Sequence, residues 1–298
     1  MNITLTGASG FIGRRLMKLL STSGHNLHVL SRHSGTNLPP NVKISVWDAL
    51  NGPPPAAALK DADVVIHLAG ESVAQRWTDD VKKRIRASRV DGTRRLVEAM
   101  SQGPDRPRAL VCASAIGYYG SRGEEILTEA SSPGSGFLAD VCVAWEREAA
   151  GAEQSGMRVV RVRIGVVLAP HGGALARMLP PFRAGIGGRL GSGRQWMSWI
   201  HLDDLCEMFR FAAEQPVRGA INGVAPVPVT NTDFTRAIAS AVHRPAIFPV
   251  PEFGLKVMFG EMSGMLLSSQ RVTPKGAEQA GFRFRFPQLD PALANLLK

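Results

Sequence analysis

The residues best suited to binding a ligand stand at the start of the chain, where glycines occur at positions 7, 10 and 13 in the run TGASGFIG. Residues 2–6 alternate as in a β-strand, and residues 11–20 form an amphipathic helical pattern. Between a strand and a helix, such glycines permit a tight turn, let the backbone approach a pyrophosphate, and let the helix pack against the strand. The helix N-terminus offers free N–H groups to phosphates. The run therefore predicts a dinucleotide-binding turn, the alternative being a glycine-rich turn without a ligand.

The end of the second predicted strand, residues 26–30, indicates which dinucleotide binds. An NAD site normally has Asp or Glu about 20 residues past the glycines, where it binds the ribose 2′-hydroxyl. In this chain the first acidic residue is Asp48, and Ser31 and Arg32 follow the strand. A guanidinium suits a 2′-phosphate, and the missing carboxylate removes a repulsion that would reject it. We predict NADP(H), although Arg32 alone is also consistent with a solvated surface arginine.

Two further segments fit the adenosine half of such a cofactor. Asp48 follows the third predicted strand, residues 42–46, and its carboxylate can accept a hydrogen bond from the adenine amine. Leu68, Ala69 and Gly70 follow the fourth predicted strand, and such a small, apolar segment allows the backbone to run beside adenosine.

Short β-rich segments alternate with helical ones over most of the chain, which indicates parallel βαβ units. The fold class is therefore predicted as α/β, a doubly wound parallel sheet (Rossmann) with a small C-terminal α/β region on the substrate side. The later predicted elements are a helix at 78–100, a strand at 109–114, a helix at 137–154, a strand at 158–168 and a helix at 203–214.

Composition changes twice toward the end of the chain. Residues 171–193 are rich in Gly, Pro and Arg, which predicts a functional loop region. From residue 249 onward the sequence is rich in Met, Phe and Gly. We therefore predict an NADP-binding domain with substrate loops at 1–245 and a small domain at 249–298.

Overall composition narrows the class of protein. No run of apolar residues is long enough for a membrane span, and Met1 leads directly into a strand without a signal-peptide pattern. The three cysteines form no CxxC, so we expect reduced thiols, no metal site and a cytoplasmic location. The net charge of +10 admits nucleic acid as a partner, but no nucleic-acid-binding motif accompanies it. We expect no nucleic-acid and no membrane partner.

Several stretches together resemble the extended short-chain dehydrogenase/reductase superfamily of the NAD-dependent epimerase/dehydratase type, and within it an atypical "epimerase family protein" subgroup. The resemblance spans essentially the whole chain and implies a Rossmann fold, NADP(H) binding and a small C-terminal domain. The matching stretches are TGxxGFIG, His67-Leu68-Ala69-Gly70-Glu71, Arg76-Trp77, Ser88-Arg89, Gly117-Tyr118-Tyr119-Gly120, Gly191-Ser192-Gly193, Trp199-Ile200-His201-Leu202-Asp203-Asp204, Asn222-Gly223-Val224-Ala225-Pro226 and the last fifty residues.

The chain departs from this superfamily at the catalytic pair. Members use a Tyr-x-x-x-Lys motif in which the lysine lowers the pKa of the tyrosine. Counting back from Glu146, the lysine position holds Cys142 and the tyrosine position holds Leu138. Nothing near Cys142 in sequence would activate it, so we interpret it as a buried apolar residue.

The resemblance also assigns Arg89, and with less weight Arg84, to the cofactor in place of a superfamily asparagine; a solvated helix face is the alternative. The resulting predicted cofactor-binding set is Gly7, Ser9, Gly10, Phe11, Ile12, Gly13, Ser31, Arg32, Asp48, Leu68, Ala69, Gly70, Arg84, Arg89, Ser114 and Val167.

Four residues are weak catalytic candidates. Ser114 ends the fifth predicted strand, near where the superfamily keeps a catalytic hydroxyl. Tyr118 and Tyr119 are the only tyrosines; one is a candidate acid, the alternative being one packed ring and one rim ring. His201 is a candidate proton carrier, whereas a structural hydrogen bond into the following helix N-terminus is the favoured alternative.

A substrate site is predicted from the arginine-rich loop region. Arg163, Arg189 and Arg194, with Trp196 and Trp199, would line a pocket for an acidic, partly flat molecule, or else form a basic, flexible loop. The sequence thus predicts an NADP(H)-dependent oxidoreductase or epimerase-like enzyme acting on an acidic or nucleotide-sugar-like small molecule, with a homodimer common in the superfamily. The alternative is an inactive NADP(H)-sensing regulatory or binding protein.

Overall fold

The computed structural model describes residues 1–34, 42–102 and 105–298. The strands are β1 (Asn2–Thr6), β2 (Asn26–Ser31), β3 (Lys43–Val46), β4 (Val64–His67), β5 (Ala109–Ala115), β6 (Ile126–Leu127), β7 (Arg158–Ile164), β8 (Val166–Ala169), β9 (Trp196–Met197), β10 (Trp199–His201), β11 (Gly219–Gly223), β12 (Val229–Thr230) and β13 (Arg271–Val272). The helices are α1 (Phe11–Thr22), α2 (Asp79–Ser101), α3 (Phe137–Ala150), α4 (Gly173–Arg183), α5 (Leu202–Glu214), α6 (Asn231–Ala241), α7 (Glu252–Phe259), α8 (Ser263–Leu267), α9 (Lys275–Gln279) and α10 (Leu289–Leu296).

Seven of these strands form one parallel sheet in the order β3-β2-β1-β4-β5-β7-β11. Strand β1 lies at the point where the order reverses, with β2 on one side and β4 on the other. Thr6 is paired in register with both Leu30 and His67, so the carboxyl ends of these three strands meet at one edge. The predicted doubly wound α/β class is confirmed. Ligands of such sheets bind at this reversal.

Helices cover the sheet and bury its central strands. Helix α1 packs against α5, and α2 packs against α3. Every residue of β4 is buried, as expected for a parallel strand covered on both faces.

A second hydrophobic core lies between α4, α6 and α10. Its members include Trp199, Phe234, Phe286 and Leu293. Residues beyond 249 contribute to both cores, since Phe282 belongs to the core of the main sheet. The C-terminal region is mostly helical, and its strand β13 pairs with β6.

The predicted single strand at 158–168 is wrong, because the chain changes sheets at Gly165. The Gly165 N–H donates to the Gly223 carbonyl (3.0 Å), which holds it at the edge of the main sheet. The next N–H, of Val166, donates to Ser198 (2.8 Å), so β8 pairs with β10 instead. The backbone of Ser198 approaches Gly165 so closely that a Cβ there would collide with it.

The prediction of a loop throughout 171–193 is also wrong, because α4 occupies Gly173–Arg183. Leu175, Leu179 and Phe182 recur at helical spacing and are buried. Pro180 and Pro181 lie inside this helix and masked the pattern. The sequence analysis did not predict strand β11 or helix α6. The segment predicted as one helix at 137–154 is α3 followed by a 3₁₀ segment, Gly151–Ser155.

Within 1–34, 42–102 and 105–298, no helix is both long and apolar enough to cross a bilayer. The same residues contain no group of three or more His, Cys, Asp or Glu side chains arranged to hold a metal ion.

Helix α1 packs directly onto the turn that precedes it. Gly7 has φ of 72°, and a Cβ there would lie 2.8 Å from the Leu68 carbonyl carbon. A Cβ at Gly13 would collide with the Gly7 carbonyl oxygen and lie 2.7 Å from the Ala8 Cα. Backbone packing therefore requires glycine at both positions, in addition to any need of a ligand.

We expect Gly13→Ala to lower the free energy of unfolding by about 1–3 kcal/mol, because the added methyl overpacks a backbone contact. Urea denaturation measures this change. Gly264→Ala is the matched control, since Gly264 lies in α8 with open space around it and alanine favours a helix. Equal stability of Gly13→Ala and the wild type would contradict the packing argument.

Candidate functional site

The first turn of α1 forms a glycine-lined helix N-terminus, called here the cradle. Gly10 caps the helix with extended backbone, no side chain caps it, and its first turn contains no acidic residue. The first N–H groups of a helix have no partner within it and carry its partial positive charge. A Cβ at Gly10 would lie 3.3 Å from the Gly7 carbonyl oxygen, so glycine keeps this surface close to the backbone. The cradle therefore fits a pyrophosphate.

Three further residues of the predicted cofactor-binding set, Ser9, Phe11 and Ile12, adjoin the cradle in sequence. Ser9 is exposed, and its carbonyl accepts a hydrogen bond from Arg14 Nε (2.8 Å). Phe11 and Ile12 are half-buried, and a Cβ at Gly173 would lie 3.1 Å from both the Phe11 ring and the Val167 carbonyl oxygen. The structure thus brings Val167 close to the start of α1.

A buried histidine ties the cradle to β4 and α2. The Thr6 hydroxyl accepts hydrogen bonds from the N–H groups of Leu68 and Ala69 (both 3.1 Å), so it donates its proton to His67 Nδ1 (2.7 Å). His67 Nε2 then carries the ring proton and donates it to the Thr93 hydroxyl (3.1 Å). Burial lowers the pKa of His67 to about 4. The neutral ring therefore orients the Thr6 hydroxyl, which holds the backbone at Leu68 and Ala69.

The ends of β2 and β3 bring Arg32 and Asp48 to the same edge. Ser31 is paired in register with Val46, so the residues that follow the two strands are neighbours. Arg32 is exposed, which leaves its guanidinium accessible to a ligand. The Asp48 carboxylate accepts hydrogen bonds from Leu50 N (3.1 Å) and Asn51 Nδ2 (2.7 Å) and so stabilises its own turn.

Arg89 lies under the backbone that follows β4. Its guanidinium donates to the Glu71 carbonyl (2.9 Å), and a Cβ at Gly70 would lie 3.2 Å from the Arg89 Cζ. Its charge also lies 5.2 Å from the Trp145 ring, and burial lowers its pKa. Arg84 is exposed on another face of α2, so the structure does not bring the two arginines together.

The two substituted catalytic positions lie at the carboxyl end of β5. A Cβ at Gly117 would lie 3.3 Å from Leu138 Cβ and 3.8 Å from Cys142 Sγ. Cys142 is buried, and burial raises its pKa to about 12. Neither side chain transfers a proton near neutral pH.

Ser114 belongs to a buried polar network. Its hydroxyl donates to Glu146 Oε1 (2.7 Å), and Glu146 binds the Arg163 guanidinium through both carboxylate oxygens (2.8 and 2.9 Å). Arg163 also donates to the Tyr119 hydroxyl (2.9 Å), which donates in turn to Asn222 Oδ1 (2.7 Å). Sequence reasoning missed Glu146 and Asn222 as members. Only the helical position of Glu146, one turn beyond Cys142, hinted at its role.

The two tyrosines differ in environment. Tyr119 is fully buried, and burial raises its pKa to about 12. Tyr118 is half-buried, with its ring 3.5 Å from the Arg163 Cζ and edge-on to the Tyr119 ring. Tyr119 is therefore the packed ring of the pair, and the catalytic role of Tyr118 stays a prediction.

His201 has a structural role. Its Nδ1 accepts a hydrogen bond from Asp203 N (3.0 Å) and caps α5, so Nε2 donates to Asn295 Oδ1 (3.2 Å). The ring stacks on Phe286, and burial lowers its pKa. The favoured alternative, a hydrogen bond into the helix N-terminus, is confirmed.

The predicted pocket of three arginines and two tryptophans is wrong, because these residues lie in different environments. Arg163 is paired with Glu146 in the interior, and Trp199 is fully buried in the second core. Arg189 and Arg194 are exposed, and Trp196 is half-buried with Arg271 over its ring. Buried packing separates these residues, although their composition suggested one cationic, aromatic surface.

The chain resembles known proteins over its full length. Residues 3–225 match the NAD dependent epimerase/dehydratase family, and residues 250–296 match a domain of unknown function, DUF1731. Epimerase family protein YfhF of Bacillus subtilis (strain 168) is 39% identical over 299 residues, covering 100% of this chain and 98% of that protein.

Two solved structures share both sequence and fold. The crystal structure of human epimerase family protein SDR39U1 (isoform 2) with NADPH superposes with a TM-score of 0.90 at 34% identity, covering 100% of this chain and 99% of that one. The nucleoside-diphosphate sugar epimerase of Corynebacterium glutamicum gives a TM-score of 0.81 at 36% identity, covering 100% of this chain and 58% of that one.

Burial of neutral His67 predicts a loss of stability in acid. The folded-state pKa of about 4 lies below the ordinary 6.5, so the folded state binds the proton more weakly than the unfolded state. The difference contributes about 3 kcal/mol to the free energy of unfolding. This contribution is fully present above pH 6.5 and is lost as pH falls from 6.5 toward 4.

Urea denaturation across this pH range measures the effect. We expect His67→Leu to lose the part of the pH dependence due to His67, whatever its stability at neutral pH. His243→Asn replaces an exposed histidine at φ of 53°, where asparagine is tolerated, and serves as the control that keeps the wild-type profile. Parallel profiles for wild type and His67→Leu would contradict the assignment.

Proposed function

The chain belongs to the NAD dependent epimerase/dehydratase family, and on that basis we propose that it binds NADP(H) in the groove beginning at the β1–α1 turn. The proposal rests on two observations. The N-terminus of α1 is uncapped, and Arg32 is exposed at the end of the adjacent strand. The NADPH in the crystal structure of human SDR39U1, which is 34% identical, supports the same cofactor here.

The groove offers separate contacts for each part of the cofactor. The α1 N-terminus would bind the pyrophosphate, with Gly7, Gly10 and Gly13 keeping Cβ atoms out of the way. Ser31 and Arg32 would bind the 2′-phosphate, and the backbone of 68–70 would flank the adenosine. The other residues proposed as contacts are Ser9, Phe11, Ile12, Asp48, Arg89, Ser114 and Val167. Arg84, which was also predicted, is exposed on another face of α2 from Arg89 and is the least supported of the set.

We propose further that the chain is an NADP(H)-dependent oxidoreductase or epimerase-like enzyme without the usual Tyr-x-x-x-Lys pair. The bound cofactor supplies hydride chemistry, and the chain must supply a proton donor. Ser114, Tyr119 and His201 already spend their polar hydrogens on internal partners. Tyr118 is the remaining candidate and is half-buried, so we propose it as the donor.

The substrate we propose is an acidic or nucleotide-sugar-like small molecule. The name of the C. glutamicum relative, a nucleoside-diphosphate sugar epimerase, supports this class. We also propose that the chain divides into domains at 1–245 and 249–298, that it forms a homodimer and that it is located in the cytoplasm.

A second candidate function is an NADP(H)-sensing protein without catalysis. Leu138 and Cys142 pack at the positions of the usual tyrosine and lysine, and this observation favours the sensor. A sensor needs only the cofactor groove and a conformational response to its occupancy.

We expect Arg32→Ala to weaken NADPH binding by about 1.5–3 kcal/mol, the value of a hydrogen bond to a charged group, and to leave NADH nearly unchanged. Isothermal calorimetry with both cofactors measures the two affinities. Arg283→Ala, at an exposed arginine of the C-terminal region, is the control and should bind both as the wild type does. An equal loss for both cofactors would show that Arg32 does not bind the 2′-phosphate.

Turnover distinguishes enzyme from sensor. We expect NADPH oxidation with at least one member of a panel of carbonyl compounds and nucleotide sugars, followed by absorbance. Tyr118→Phe should lower this rate by about 10²–10⁴-fold, the contribution of a positioned acid, at unchanged NADPH affinity. Tight NADPH binding without turnover by the wild type would favour the sensor. An unchanged rate in Tyr118→Phe would remove this residue as donor.

A further inference from the structure

Four mostly aromatic residues lie beyond the carboxyl ends of β4 and β5, and we call them the aromatic wall: Trp77, Tyr118, Phe137 and Leu138. Trp77 follows β4, Tyr118 lies in the 3₁₀ turn after β5, and Phe137 and Leu138 begin α3. Strands β4 and β5 are neighbours in the parallel sheet, so these residues lie at the edge where its ligands bind.

Contacts along the aromatic wall are continuous. The Trp77 and Phe137 rings meet edge-on, with their centroids 5.3 Å apart. Leu138 comes next in the chain and packs toward Gly117, the residue before Tyr118, where an added Cβ would lie 3.3 Å from Leu138 Cβ. All four residues of the wall are half-buried, and the first core and the second core contain neither Trp77, Phe137 nor Leu138. The wall therefore keeps part of its apolar surface accessible.

The C-terminal region is attached near both ends of this wall. Lys82 Nζ lies 5.9 Å from the centroid of the Phe137 ring and donates to Glu261 (2.9 Å). Gln270 Nε2 donates to two carbonyls of residues 116–120 (2.9 and 3.0 Å). Helix α8 lies between these attachments in the chain, and its three consecutive large apolar residues are half-buried. The C-terminal region thus spans the wall and adds apolar surface beside it.

Three polar groups near the wall already have partners inside the protein. The Ser114 and Tyr119 hydroxyls donate to the buried network described above, and the Trp77 indole N–H donates to the Val73 carbonyl (2.9 Å). A pyranose ring carries several hydroxyl groups, and each one buried without a partner costs desolvation energy. An aryl or alkyl group needs no such partner and loses water contact against the wall. The wall therefore favours an apolar group over a sugar ring.

Tyr118 makes the wall suited to a carbonyl compound in particular, because the proposed proton donor is itself part of it. In the reaction proposed above, the carbonyl carbon gains a hydride from NADPH and the carbonyl oxygen gains the Tyr118 hydroxyl proton. The products are an alcohol and NADP⁺, and Tyr118 regains a proton from the solvent.

We propose that the aromatic wall receives the aryl or alkyl group of a carbonyl compound and that no sugar ring binds at this position. The inference rests on the cofactor and the donor proposed above, and it narrows the substrate class at the reaction centre. It concerns the part of the substrate beside Tyr118 and leaves the acidic part unchanged.

Calorimetric titration of the NADPH-saturated protein tests the wall without turnover. Benzamide and cyclohexanecarboxamide join a carbonyl group to an aryl or an alkyl ring, and NADPH reduces neither amide. UDP-glucose carries the sugar alternative, and UDP is its control without the sugar ring. We expect saturable binding of at least one amide, and the tighter of the two distinguishes aryl from alkyl. UDP-glucose should bind no more tightly than UDP.

Variants assign the binding to the wall. Phe137→Ala and Trp77→Ala should each weaken the tighter amide by about tenfold or more, because each removes an aromatic contact. The affinity for NADPH should stay unchanged, which a merely structural role of these rings would not predict. Trp77→Phe keeps a ring and should retain most of the amide affinity. Val143→Ala, at an exposed position of α3, is the control and should bind the amide as the wild type does.

Three results would overturn the proposal: no saturable binding of either amide, UDP-glucose binding about tenfold more tightly than UDP, or unchanged amide affinity in both alanine variants. Failure of NADPH itself to bind would count against the proposed cofactor, and amide binding to the free protein then decides on the wall. Amide binding without NADPH oxidation by any carbonyl compound would contradict the proposed enzyme and leave recognition by the wall standing.

Discussion

The contact between the turn at Gly7 and the end of β4 is the constraint on which the rest of the site depends. A Cβ at Gly7 would collide with the backbone of Leu68 and Ala69, and a Cβ at Gly13 would collide with the turn itself at Gly7 and Ala8. The Thr6 hydroxyl accepts hydrogen bonds from two successive N–H groups of the opposing segment and donates one to buried His67, which links the pair to α2 through Thr93. Because this junction lies where the strand order reverses, it holds the helix N-terminus over a crevice between β2 and β4.

A second buried interaction organises the other side of the crevice. The Glu146–Arg163 pair is almost fully buried, with both carboxylate oxygens engaged, and it joins α3 to β7. A buried charge without its partner would be costly, so the pair is retained as a unit with its hydrogen-bonded neighbours. Tyr119 and Asn222 extend it to β11.

This network has a chemical consequence for the crevice. It absorbs the hydroxyls of Ser114 and Tyr119, which are two of the groups expected to transfer protons. Leu138 and Cys142 replace the usual pair with apolar contacts against Gly117. The protein thus combines an uncapped helix N-terminus with apolar side chains at the two substituted positions, and Tyr118 keeps a half-buried ring.

The sequence alone determined the dinucleotide turn, the α/β class and the absence of an acid before Asp48, because each follows from neighbours along the chain. Tertiary structure decided the roles of Ser114, Tyr119 and His201, since their partners lie 32, 103 and 94 residues away. It also decided the sheet change at Gly165, which depends on Ser198 and Gly223. A side chain's type fixes which bonds it can form, but only the folded chain fixes which partner comes within reach.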